Sequence, residues 1–177
     1  MLLWYSAGCH SYGTQVYYFM KLTRLDKIEN LACEGKIVEL RNLLKDNFSQ
    51  VEIDTALVDA LAYSQIDTAE YLLSLGADIS AYDYGGLYYA VHNNELEGLK
   101  YSISKGIDIN VNSGMPLNTS IFTSTNSGDI KIIKWLLENG ANPKLLTGKS
   151  LRIAKRYGTD ELRNLLRQYL PLKFLFS

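Results

Sequence analysis

Apolar residues recur along this chain in short stripes, and several stripes end on glycine. Between Asp129 and Asn139 they fall at Ile130, Ile133, Leu136 and Leu137, a three-and-four spacing that places them on one face of a helix. Gly140 follows, where a residue tolerant of left-handed backbone ends a helix. A shorter helix is predicted before it, over Thr119 to Thr125, closed by Asn126-Ser127-Gly128. The same layout fits Thr55 to Tyr63 followed by Ile66 to Leu75, and Leu87 to His92 followed by Leu96 to Lys105. Gly76, Gly106 and Gly140 are 30 and 34 residues apart, and Leu-Leu pairs stand at 43–44, 72–73, 136–137 and 165–166. A repeat of that length holds a turn and two short helices. Helices this short are marginal alone and become stable by stacking on their neighbours.

The stretch GDIKIIKWLLENGANP (128–143) resembles the second helix and exit loop of an ankyrin repeat. Against the family's T-P-L-H-x-A-A opening, Thr119-Ser120-Ile121-Phe122 falls on TPLH and Gly128 on the glycine between the helices. Thr55-Ala56-Leu57-Val58 takes the same phase with Ser64 as its glycine, and Gly85-Gly86-Leu87-Tyr88 takes it with Asn94. The small residue of the first helix becomes Ala60, Ala90 and Ser124. The resemblance covers about 25–170 and implies an all-α ankyrin-repeat solenoid of stacked helix-turn-helix units with short hairpin-like loops. Its units are expected at about 25–48, 49–79, 80–109, 110–143 and 144–170, the outer two being degenerate caps. No unit keeps the Pro or the His of TPLH. Asn110 to Asn118 reads as a loop about four residues longer than the one before it, and Ser102 replaces an apolar residue, so the third unit is expected to be the weakest packed.

Composition agrees with one ordinary domain: 177 residues, 47% hydrophobic and 21% charged, which argues against disorder. Cys9 and Cys33 are too few for a disulfide framework, and a reducing, cytoplasmic setting is expected. Met1 to Phe19 has no Lys or Arg, unlike a secretory signal. Ser6-Ala7-Gly8-Cys9 departs from a lipoprotein cleavage box, with Ser6 in place of Leu. Residues 1–24 fit either an aromatic arm packed on the first unit or a leader ahead of a start at Met20, and 171–177 form an apolar tail. No apolar run reaches the length of a membrane helix.

The chain carries no pattern of catalytic residues. Gly148-Lys149-Ser150 imitates the end of a phosphate-binding loop, but Pro143 stands where that loop needs glycine, so these residues read as the turn and N-cap of the last unit. No metal is expected, because His10 and His92 belong to no zinc-spaced cluster. No cofactor and no enzyme activity are expected either.

Charge is segregated. From Asp46 to Leu99 there are ten acids and no Lys or Arg, whereas 144–177 holds eight Lys or Arg against two acids. The potential is therefore dipolar along the chain. Tyrosines gather in the acidic part. The resemblance implies that a partner meets the loop tips and the concave surface of the first helices. Those positions here are Asp54, Tyr63, Tyr82, Asp83, Tyr84, Tyr88, His92, Asn93 and Glu95. Tyrosine is enriched at binding hot spots, and acids steer a basic partner. The function expected is protein–protein interaction. An inhibitor or immunity protein against a basic toxin or enzyme, and a structural or assembly protein, remain alternatives. The basic end has little aromatic interleaving, so nucleic acid is not the expected partner.

Overall fold

The computed structural model describes residues 23–170. The aromatic leader with Cys9 and His10, and the apolar tail, lie outside the described residues. The described residues form five helix pairs. They are α1 Arg24–Cys33 with α2 Ile37–Leu44, α3 Gln50–Ala62 with α4 Ile66–Ser74, α5 Ala81–His92 with α6 Leu96–Ser104, α7 Val111–Ser127 with α8 Lys131–Glu138, and α9 Gly148–Tyr157 with α10 Asp160–Tyr169. The first helices α1, α3, α5, α7 and α9 stack side by side, and each leans on the second helix of its own pair. This is the expected all-α solenoid.

Local chemistry sets the helix ends. Thr23 and Ser49 form capping boxes with Asp26 and Glu52, so both ends of each box satisfy an orphan backbone N–H. Thr147 and Thr159 cap α9 and α10. Gly148-Lys149-Ser150 is thus the first turn of α9, and the cap lies one residue earlier than that tripeptide.

Between the helices of a pair, one residue takes left-handed backbone: Gly35, Ser64, Asn94 and Gly128. The two non-glycine members use their side chains. Ser64 Oγ accepts the Gly98 N–H at 2.9 Å, and Asn94 Nδ2 donates to Asp129 at 2.8 Å. Each replacement thereby ties one unit to the next.

The core runs along the array as two adjoining clusters, one including Leu40, Leu57, Leu61 and Leu72, the other Leu87, Leu99, Ile121, Ile133 and Leu136. Ser102 is fully buried, and its hydroxyl donates back to the Gly98 carbonyl at 2.8 Å. Gly98 lies so close to the preceding unit that a Cβ there would fall on the Leu61 carbonyl oxygen. Cys33 is buried as a small packing residue.

The lengthened loop before the fourth unit does not form. Asn110 to Gly114 repeat the preceding tip. Asp108 Oδ1 accepts the Asn110 N–H as Asp78 Oδ1 accepts that of Ser80. Asn112, Ser113 and Gly114 are left-handed, as are Tyr82, Asp83 and Tyr84. The four added residues lie in the helix instead: Tyr84 and Asn94 are ten residues apart, but Gly114 and Gly128 are fourteen. Four residues are about one turn, so α7 keeps its buried face while growing longer.

It follows that Met115-Pro116-Leu117-Asn118 begins its helix where Gly85-Gly86-Leu87-Tyr88 begins the previous one, so this unit does keep the family's proline. Pro116 sits in the first turn, where a missing N–H is harmless. Asn118 takes the place of the His. Its Nδ2 donates to the Leu145 carbonyl at 2.9 Å, and its Oδ1 accepts from the Thr147 N–H at 2.9 Å and the Ser150 hydroxyl at 2.7 Å.

Candidate interaction surface

Among the described residues, the first helices carry an aromatic cluster on α5. Tyr88 and Tyr89 meet edge to face at 5.1 Å, Tyr88 stacks on His92 at 5.9 Å, and Tyr89 meets His92 at 6.5 Å. Four- and three-residue spacings on α5 bring Tyr88 and Tyr89 each against His92. Tyr88 is 37% exposed, and His92 is exposed as well. Asn93 orients the histidine. Its Nδ2 donates to the Ala62 carbonyl at 3.0 Å, which leaves Oδ1 as an acceptor 3.2 Å from His92 Nδ1. An acceptor in that place favours the tautomer with its proton on Nδ1.

The other sequence-derived positions divide by what they touch. Tyr82 and Asp83 are exposed at the tip. The Tyr82 hydroxyl pairs with Thr55 Oγ1 at 2.9 Å, and the Asp83 carbonyl accepts from Asn112 Nδ2. Tyr84 is half-buried and packs against the core, so it braces the tip from within. Asp54 points into the next loop, where Oδ1 accepts the Asp78 N–H at 2.7 Å and the Gln50 amide at 2.8 Å. Tyr63 caps α3 and is half-buried, and Glu95 opens α6. The aromatic cluster thus draws on Tyr88, His92 and Asn93, while Asp54 and Tyr84 serve the scaffold.

Two further acids, Asp59 and Glu29, stand beside this surface. Asp59 on α3 stands thirty residues before Tyr89, in the equivalent position, and is half-buried. Glu29 on α1 lies close enough for its charge to act on Asp59. Burial, reinforced by Glu29, pushes the Asp59 carboxyl up to about 7. Burial, with help from Asp26, also raises Glu29. The charge pattern marks Asp59 as one acid among ten, and only the stacking of α1 on α3 shows that it is partly enclosed.

Cations neutralise little of the acidic stretch. Glu52, Glu97 and Glu70 pair with Arg24, Lys100 and Lys105. Among the described residues, Asp46, Asp59, Asp67, Asp83 and Glu95 have no Lys or Arg within ion-pair distance. Further along the same row of helices, Phe122 on α7 lies under the Lys149 ammonium of α9 at 5.5 Å. The first helices therefore run from acid, through aromatic rings, to a cation. Among the described residues no group of three His, Cys, Asp or Glu could hold a metal ion, and no helix is long and apolar enough to cross a membrane.

No family model matches the chain. Among curated proteins, ankyrin repeat protein L72 of Acanthamoeba polyphaga mimivirus is 25% identical over 135 residues, covering 75% of this chain and 34% of that protein. Ankyrin repeat protein L112 of the same virus is 28% identical over 127 residues, covering 71% and 27%. The chain is an ankyrin-repeat protein. Palmitoyltransferase ZDHHC13 of Mus musculus is 30% identical over 118 residues, which cover 65% of the ankyrin-repeat chain but 18% of that enzyme. The chain spans about a third or less of these relatives' lengths. The likeness lies in the repeats, whose stacked first helices build the surface described above.

Proposed function

We propose that this ankyrin-repeat array is a cytoplasmic protein-interaction module that binds through the concave face of its first helices and its loop tips. The observation that carries this reading is the cluster of exposed Tyr88 and His92 with half-buried Tyr89, set in an acidic stretch with few cationic partners. A large ring costs little side-chain entropy to immobilise, and uncompensated acids raise the encounter rate with a basic partner. Binding, with no chemistry on the partner, is the role these residues support.

The acidic stretch also favours a narrower form of the reading, an inhibitor that covers a basic toxin or enzyme. That form predicts tight, strongly salt-sensitive association with one cognate partner.

The test is affinity for a captured partner, measured by titration calorimetry for the wild type, Tyr88→Ala and Asp83→Lys. A loss of tenfold or more with Tyr88→Ala is expected. Unchanged affinity in both variants would remove the concave face and the tip from the interface.

A further inference from the structure

The order of side chains along the first helices specifies more than a generic surface. Glu29 and Asp59 lie at one end, the rings of Tyr88, Tyr89 and His92 in the middle, and Phe122 with Lys149 at the other end. Neither Glu29 nor Asp59 has a cation within ion-pair distance among the described residues. Lys149 is exposed and has a ring, with no carboxylate, as its neighbour. From α3 to α9 there are three helix-to-helix steps of about 10 Å each. A strand-like peptide advances about 3.3 Å per residue, so roughly nine residues would span the strip.

We propose that this strip seats an extended, charge-polarised peptide segment of a partner protein, with Lys or Arg over Asp59 and Glu29, an aromatic or branched side chain on the Tyr88–Tyr89–His92 rings, and a carboxylate toward Lys149. The inference rests on the interaction reading above and adds the partner's chemistry and direction. A guanidinium or ammonium entering beside Asp59 supplies the countercharge that the fold leaves out. The half-buried setting makes that pair stronger than one at an open surface. The rings next to it offer both apolar area and a face for a cation. The opposite signs at the two ends favour one peptide direction and disfavour the reverse, because reversal places like charges together at both ends.

The experiment is selection of a display library of random twelve-residue peptides on the full chain. The enriched sequences are then synthesised with a fluorescein label, and their affinity is read by fluorescence anisotropy. Enriched peptides are expected to carry Lys or Arg on one side of an aromatic or branched residue and Asp or Glu on the other. Their affinity should fall at least tenfold in Asp59→Asn and in Tyr88→Ala. Lys149→Glu should select against the acidic position while keeping the basic one. Enriched peptides without a basic residue, or affinity indifferent to Asp59→Asn, would overturn the proposal. If Tyr88→Ala abolishes binding and Asp59→Asn does not, the interaction surface stands and the charge-polarised occupant falls. If no peptide is enriched, or none responds to Tyr88→Ala, both fall.

Discussion

Replacing Asp59 by Asn is expected to stabilise the protein above about pH 7, where the folded carboxyl titrates, and to leave it nearly unchanged near pH 4. In the unfolded chain this carboxyl ionises near its ordinary value of 3.8, whereas in the fold burial and the neighbouring Glu29 hold it protonated up to about 7. Between those two values the folded state binds a proton that the unfolded state has released. Stability must therefore fall as pH rises through that window, and level off above it. Three pH units at 1.36 kcal/mol each give about 4 kcal/mol. That figure is an upper value, because solvent still reaches part of the carboxyl. Asn keeps the shape and removes the charge, so the penalty should vanish. Urea denaturation followed by circular dichroism at pH 4.5, 6, 7.5 and 8.5 separates the two curves. The wild type should lose stability across the series, and the gap to Asp59→Asn should widen to about 2–4 kcal/mol by pH 8. Glu29→Gln should recover part of the same gap, since Glu29 adds to the effect of burial on Asp59. Parallel curves for wild type and Asp59→Asn would refute the reasoning.

Three further outcomes follow from the packing. Gly98→Ala should cost about 2 kcal/mol in chemical denaturation, because the new methyl group meets the fixed Leu61 carbonyl and no flexible side chain that could move aside. At position 83, Gly should exceed Ala by about 1 kcal/mol in thermal denaturation, because the residue holds left-handed backbone between two others that do the same. Asn118→Ala should cost about 1–3 kcal/mol, since the Thr147 N–H and the Leu145 carbonyl lose their partner together. Hydrogen exchange should then rise in α9 and α10 before the rest, as expected of an array whose units depend on their neighbours.

The sequence is informative about this fold because one rule repeats. Ile130, Ile133, Leu136 and Leu137 announce a helix face, and Gly140 announces its end; the structure buries three of the four fully or nearly so and half-buries Ile130. Ser64 and Asn94 were recognisable as stand-ins for glycine because their place in the period demanded one. The same rule misled at the fourth unit. Counting back from Gly128 puts Thr119 at the helix start, and counting forward from the tip puts Met115 there. Both counts are locally right, and the difference is a turn of helix whose extra residues extend the buried face. Pro116 was the available signal, since proline is at home in a helix's first turn.

The surface was less legible. Tyr84 and Tyr88 look alike in a charge and aromatic pattern, and four residues on a helix would place them together. The left-handed backbone at Tyr82 to Tyr84 breaks that helix, so Tyr84 turns into the core and Tyr88 stays in solvent. Asp59 was hidden for a different reason. Its neighbour Glu29 is thirty residues away, and their closeness depends on how two units stack.

The central claim is that the row of first helices, centred on Tyr88, Tyr89 and His92, is where a partner binds. Hydrogen–deuterium exchange of the chain with and without its bound partner tests this most directly. Protection is expected in α3, α5 and the tip at Tyr82 to Tyr84, with Tyr88→Ala reducing it. Protection confined to the second helices α4, α6 and α8, unaffected by Tyr88→Ala, would contradict the account.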